Sequence, residues 1–191
     1  TMGLRGHNAL RESGGQVIRF LVSLIGSTHV AFPSHWVRGI VTPAEGIEGG
    51  SVTWARAVYE RTDLADRFSI RTTGLTAETR LVLYANEGRA RCFAVEKVLG
   101  LIDVERDLIQ PLPTQFRGKE RERLLGFFVE ASYVALIVNP FWVLELPSRN
   151  NILEVLALQV SNGRPGEFDS RLKLSSAVLE DLHPVSTGSA T

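Results

Sequence analysis

Among its 191 residues the chain has one cysteine, Cys92, and four histidines, at positions 7, 29, 35 and 183. A single thiol excludes an internal disulfide and falls short of the clustered thiolates of structural zinc sites, so a reducing compartment, the cytoplasm, is expected. The histidines form no HExxH pair and share no helix face, so metal ligation is not expected. Charge of one sign is also missing. The 21 basic and 21 acidic residues cancel, which removes the field that draws proteins onto nucleic acid or anionic lipid. The longest early apolar stretch, Val17 to Ile25, is broken by Arg19 and is much shorter than the ~20 residues a spanning helix needs. Neither membrane insertion nor a signal sequence is expected. No GxxxxGK[ST], strand-linked GxGxxG or GxSxG is present; Gly46, Gly49 and Gly50 read as a turn. Cys92 lies inside an apolar strand pattern, where a thiol behaves as a small buried hydrophobe. No catalytic residue, metal or cofactor is therefore predicted.

What is present is a mostly β pattern. The hydrophobic fraction of 44% against 22% charged residues is enough to build a packed core. Val17 to Leu24, then His29 to Phe32 after Gly26-Ser27, reads as a hairpin. Ser34 is placed to cap a short helix through Trp36, Val37 and Ile40, ended by Pro43. Val52 to Tyr59 alternates large and small side chains and predicts one strand. Thr62 or Asp63 caps a helical turn carrying Leu64 and Phe68, and polar residues 71–78 form a linker between two halves. The second half predicts hairpins from Leu81–Tyr84 with Arg91–Val95, turning at Asn86-Glu87-Gly88, and from Leu125–Glu130 with Tyr133–Val138; Asn139 or its neighbour caps a turn begun by Pro140. Short strands at this spacing imply a barrel or sandwich, with Phe32, Leu83, Phe93 and Ile137 deep in one continuous core.

The ends differ in composition. Residues 1–15 are a flexible segment, 16–146 the folded domain, and 147–191 a helical extension with a disordered tail, including Ser186 to Thr191. In the extension, Ile152, Val155, Leu156 and Val160 make a helical stripe that Ser161 to Gly166 terminates. A stripe on so short a helix must be covered, and the brief Pro147-Ser148-Arg149 connection predicts docking within the chain. The mixed run from Arg117 to Arg123 reads as a solvated face. Phe127, Phe128, Tyr133, Phe141 and Trp142 are either core, the favoured reading, or an interface.

Read in order, these segments resemble the CheW-like domain. His29-Val30-Ala31-Phe32-Pro33 and Trp36-Val37-Arg38-Gly39-Ile40 are similar to its proline-ended strand and V-R-x-I segment. Tyr59 to Leu64 is similar to V-P-V-x-D-L, and Phe93 to Leu101 to L-V-D-x-V-x-x-V. Asp107 to Pro113 matches the D-x-I-x-P-x-P loop, and Leu125 to Phe128 with Leu136 to Asn139 match the closing strands. The segment between Val37 and Gly50 is shorter than the family's, and Thr53-Trp54-Ala55-Arg56 stands where the family has N-x-R-G.

The resemblance implies two interlocked, five-stranded, SH3-like barrels. It implies a non-catalytic adaptor that binds the regulatory domain of a CheA-type histidine kinase on its barrel surfaces and a chemoreceptor cytoplasmic tip in the groove between them. By pattern match Val37, Ile40 and Val52 line the groove region or serve the core, Gly50 and Gly126 permit close approach, and Arg56 is the arginine nearest the family's receptor-contact position. Two other readings stand beside this one. One is a diverged coupler of a pilus, gliding or developmental pathway; the other is a small ligand-binding or hydrolytic barrel.

Overall fold

The computed structural model describes residues 16–43, 47–48, 50–86, 88–147, 149, 151–161 and 173–174. The N-terminal segment 1–15, His7, His183, Glu87, Gly49, the Glu45-Gly46 stretch, residues 162–166 and the Ser186–Thr191 tail lie outside the described residues.

Strands β1 (Val17–Ile25) and β2 (Thr28–Pro33) form the expected hairpin. Its turn needs Gly26: φ is +58°, and an added Cβ would meet the Arg71 carbonyl oxygen and Ile70 Cγ2 at 2.7 Å. The chain then crosses, through a single 3-10 turn at Ser34–Trp36, to β3 (Val37–Val41). The helix expected through Ile40 thus stops at Trp36. The cap position is held by Pro33, with Ser34 already inside the turn, and Val37, Ile40 and Val41, whose branched Cβ atoms suit a pleated strand, pair with a later strand.

Beyond β4 (Ile47–Glu48), the single strand expected over 52–59 is a hairpin of β5 (Ser51–Trp54) and β6 (Ala57–Arg61). Ala55 and Arg56, with φ of 47° and 68°, make its two-residue turn. Such turns favour Asn-Gly, a signal absent here. Asp63 caps α1 (Leu64–Phe68), its Oδ1 accepting the Asp66 N–H at 2.9 Å.

The hairpin of β7 (Arg80–Asn86) and β8 (Arg89–Val95) follows, then a nine-residue strand, β9 (Lys97–Glu105), that the sequence pattern did not single out. A two-residue β10 (Gln110–Pro111), the exposed α2 (Lys119–Arg123) and the predicted hairpin of β11 (Leu124–Glu130) and β12 (Tyr133–Val138) come next. In α3 (Pro140–Val143), Asn139 is the cap, accepting the Phe141 N–H at 3.1 Å. The chain continues into α4 (Ile152–Ser161) and, at Lys173–Leu174, a two-residue strand β13 that the sequence pattern did not single out.

Among the described residues these strands build two sheets, ordered β10-β11-β12-β2-β1-β9 and β13-β3-β7-β8-β6-β5-β4. Setting aside the two-residue strands leaves five long strands in each, as expected of paired barrels. The second sheet is inserted between β2 and β9. Residues 71–78 therefore connect β6 to β7 inside that sheet and do not separate the halves; the return crossing is at Glu96, whose N–H donates to the Leu24 carbonyl at 2.8 Å.

Strand β7 shows why the second sheet holds to the first. Alternate side chains face opposite ways: Val82 and Tyr84 join a large core shared with Phe20, Phe32 and Phe93, whereas Leu81 and Leu83 join a smaller core with Val41, Val52, Tyr59 and Cys92. The expected single core is thus a shared core plus a second one private to the inserted sheet. Phe32, Leu83, Phe93 and Ile137 are all fully buried. Helix α4 docks on the first sheet, as expected of its stripe. Val155 and Leu156 are buried in the shared core, and a Cβ at Gly126 would lie 2.7 Å from Ile152 Cδ1 and 2.4 Å from the Gln110 carbonyl oxygen.

Candidate protein-interaction surface

The six residues singled out from the sequence separate by burial. Val37, Ile40 and Val52 are 2%, 1% and 1% exposed, so their side chains serve the cores, one of the two roles the sequence left open. Gly126 is also interior, and its value lies in the close approach of Gln110 and Ile152. Gly50 and Arg56 are exposed, at opposite ends of β5, each with positive φ. The six do not come together as one groove. What remains at the surface is the β5–β6 hairpin, with Arg56 at its tip and the 58% exposed Val58 beside it.

A second exposed feature was not legible as a site. In the β11–β12 hairpin Val129 faces Val134 and Phe127 faces Leu136. The valines are 63% and 49% exposed, and the outer pair continues into the half-buried one. Beside it the His29 ring stacks on Tyr133, with centroids 4.2 Å apart. Of the five aromatics considered as core or interface, Phe128 and Phe141 are buried while Phe127, Tyr133 and Trp142 are only partly so. The β11–β12 hairpin was expected; which of its faces stayed uncovered depended on the strand order.

Between the sheets lies a cleft of about 210 Å³ bounded by Ile25, Arg61, Asp63, Thr72, Leu75 and Glu96. None of the six sequence candidates lines it. Glu96 accepts the Thr73 N–H at 3.1 Å, which ties the 71–78 connection to the crossover.

Nearby, charged side chains bind the inserted sheet to the end of the first. Arg67 Nη2 donates to the Trp142 carbonyl at 2.9 Å, and its guanidinium lies 4.0 Å from the Trp142 ring centre. Glu145 Oε1 lies 3.8 Å from Arg67 Nη1, and Glu145 Oε2 accepts from Arg91 Nη2 at 2.8 Å. Arg91 also pairs with Glu60. Burial lowers the Arg67 pKa, opposed by Glu145, and the group stays a cation at neutral pH. The arrangement ties the inserted sheet to the end of the first; it presents no nucleophile.

The groups that chemistry would use are committed elsewhere. Burial raises the pKa of the Cys92 thiol against the opposing charge of Arg61, and its Sγ donates to the Tyr59 carbonyl. Among the described residues no three His, Cys, Asp or Glu side chains converge as metal ligands, and no helix is long and apolar enough to cross a membrane.

Comparison with known proteins bears on this geometry. A family model described as the CheW-like domain matches residues 19–147, a span that begins in β1 and runs past α3. No curated protein sequence matches the chain. Among solved structures, the chain is similar to the scaffolding protein TtCheW from Thermoanaerobacter tengcongensis, with 15% identity and a TM-score of 0.60. The similarity covers 71% of this chain and 97% of that one, so nearly the whole two-barrel fold is shared. With the match running from β1 through the crossover to α3, over more than half of the sequence, this chain belongs to the CheW-like domain family.

Proposed function

We propose that the chain is a cytoplasmic, non-catalytic adaptor that couples a CheA-type histidine kinase, through its like-shaped regulatory domain, to the cytoplasmic tip of a chemoreceptor. The observation that carries this reading is that the family match extends across both sheets and the crossover between them. An adaptor that transmits conformational bias needs two binding surfaces held in fixed relation. The Arg67–Glu145–Arg91 network supports such rigidity, and the β5–β6 and β11–β12 hairpins supply exposed apolar and cationic side chains, Val58, Arg56, Val129 and Val134, of the kind that anchor protein partners.

Reconstitution tests the reading. Purified chain is added to kinase and receptor-containing membranes, and kinase autophosphorylation is followed. Stimulation that depends on both chain and receptor is the expected result. Kinase binding without receptor-dependent stimulation would favour instead the diverged coupler of another pathway, a reading that the turn at Ala55-Arg56, in place of the family's N-x-R-G, also favours. No effect and no kinase binding would refute both.

A further inference from the structure

The junction of α1, α2 and α3 gathers more positive charge than it neutralises. Trp142 of α3 is only partly buried, and two guanidiniums address its indole: Arg67 of α1 at 4.0 Å from the ring centre and Arg123, the last residue of α2, at 5.7 Å. Phe68, also partly buried, packs on the same indole with centroids 4.8 Å apart. The carboxylate of Glu145 is shared between Arg67 and Arg91, and Glu60 pairs with Arg91. Arg123 is left over. Among the described residues its half-buried guanidinium has neither an ion-pair partner nor a hydrogen-bond acceptor, although Glu120 stands three positions earlier in α2. Burial lowers the Arg67 pKa, Glu145 opposes it, and the charges of Arg91 and Arg123 lower it further, as like charges set close together do.

The cluster is held in place before any partner arrives. Asn139 fixes the end of α2, its N–H donating to the Arg123 carbonyl at 2.8 Å and its Nδ2 to the Glu122 carbonyl at 2.9 Å. Arg67 Nη2 donates to the Trp142 carbonyl. A guanidinium fork without an acceptor is the complement of a carboxylate, which can accept two of its N–H groups at once. A small oxyanion would satisfy Arg123 and leave the indole and Phe68 uncovered. A peptide segment covers all three, and tryptophan with arginine is the composition that anchors protein interfaces. We propose that Trp142, Phe68 and Arg123, with Arg67 behind the indole, form a docking point for an acidic segment of a protein partner. One carboxylate of that segment pairs with Arg123, and a neighbouring apolar side chain lies on Trp142 and Phe68. Because α1 belongs to the inserted sheet's part of the chain and α3 follows the last long strand of the first sheet, the bound segment touches both.

The probe is a fluorescein-labelled peptide of alternating glutamate and leucine, with a twin in which glutamine replaces every glutamate. The full-length wild-type chain is expected to bind the glutamate peptide about tenfold more tightly than the twin, read by anisotropy, with affinity falling as salt rises. Arg123→Gln is expected to lose this preference and keep the wild-type melting temperature, since it leaves no bonded partner behind. Arg123→Lys, which keeps the charge without the fork, is expected to retain only part of the preference. No preference in the wild type, or one that survives in Arg123→Gln, would overturn the site. A lowered melting temperature in Arg123→Gln would mark Arg123 as structural and overturn it too. Displacement of the peptide by an equal concentration of inorganic phosphate would overturn a protein segment as the occupant. The proposal draws on the adaptor reading only in supposing a protein partner, and no kinase or receptor enters its test, so either can fail without the other.

Discussion

Arg91 Nη2 donates to Glu145 Oε2 at 2.8 Å, joining β8 of the inserted sheet to the second residue past α3 at the end of the first sheet. The Arg91 side chain is only 12% exposed while Glu145 is half exposed, so one partner is largely desolvated and the other still reaches water. Glu145 also holds a φ of 55°, an uncommon conformation for a residue with a Cβ. A double-mutant cycle of Arg91→Ala and Glu145→Ala is expected to give a coupling of about 0.5–1.5 kcal/mol by denaturant unfolding, shrinking at high salt. Strict additivity would show that the pair does not hold the sheets together.

The docking of α4 is tested by Leu156→Ala. Leu156 is 2% exposed within the shared core, so its truncation is expected to destabilise by about 2–5 kcal/mol. Removing residues 148–191 should lower the melting temperature while the mass in sedimentation remains that of a monomer if the wild type is one. A wild-type stability in Leu156→Ala would mean the helix is not seated as described.

The β5–β6 turn carries positive φ at Ala55 and Arg56, with no glycine or asparagine at either position. Replacing the pair by Asn-Gly is expected to raise stability by about 1 kcal/mol, read as a higher melting temperature. A fall in stability would show that Arg56 makes a contribution that outweighs the strain.

Asp103 faces Arg19 across β9 and β1, with both carboxylate oxygens accepting from the guanidinium at 2.6 and 2.9 Å. This hydrogen bonding, helped by the charge of Arg19 and opposed by burial, holds the Asp103 pKa below its usual value. A depressed carboxylate stabilises the fold above its unfolded pKa and loses that contribution as pH falls through the folded one. Both side chains are more than a third exposed, so solvent screening limits the effect to about 0.2–1 kcal/mol. The stability difference between wild type and Asp103→Asn should therefore be constant from pH 5 to 7 and change only in acid. A difference that varied through the neutral range would contradict the assignment.

Much of this fold was legible because burial and local pattern agreed. The β1–β2, β7–β8 and β11–β12 hairpins each carry apolar, β-branched or aromatic runs with a break between them, and the caps formed by Asp63 and Asn139 were each one of two positions the sequence offered. The readings that failed did so where tertiary pairing overrode a local signal. Val37 and Ile40 sit three apart, as on a helix, yet β7 draws them into a strand. Ala55-Arg56 turns without turn residues because β5 and β6 pair on either side of it. Lys97 to Glu105 contains Gly100 and three charged residues, which blurs its alternation at a sheet edge. The candidate surface was less legible than the fold. Val37, Ile40 and Val52 look the same in sequence whether they line a groove or a core, and exposure of Val129 and Val134 follows from strand order, which no local window contains.

The central claim is that this two-barrel domain binds the regulatory domain of a CheA-type kinase, and calorimetric titration of the two purified proteins tests it most directly. The account predicts saturable one-to-one binding with a negative heat-capacity change, as burial of apolar surface requires, weakened when Val129 and Val134 or Arg56 and Val58 are replaced by glutamate in chains that keep their wild-type melting temperature. Absence of any binding by the folded wild-type chain to the regulatory domain of a CheA-type kinase from the same organism would contradict this reading.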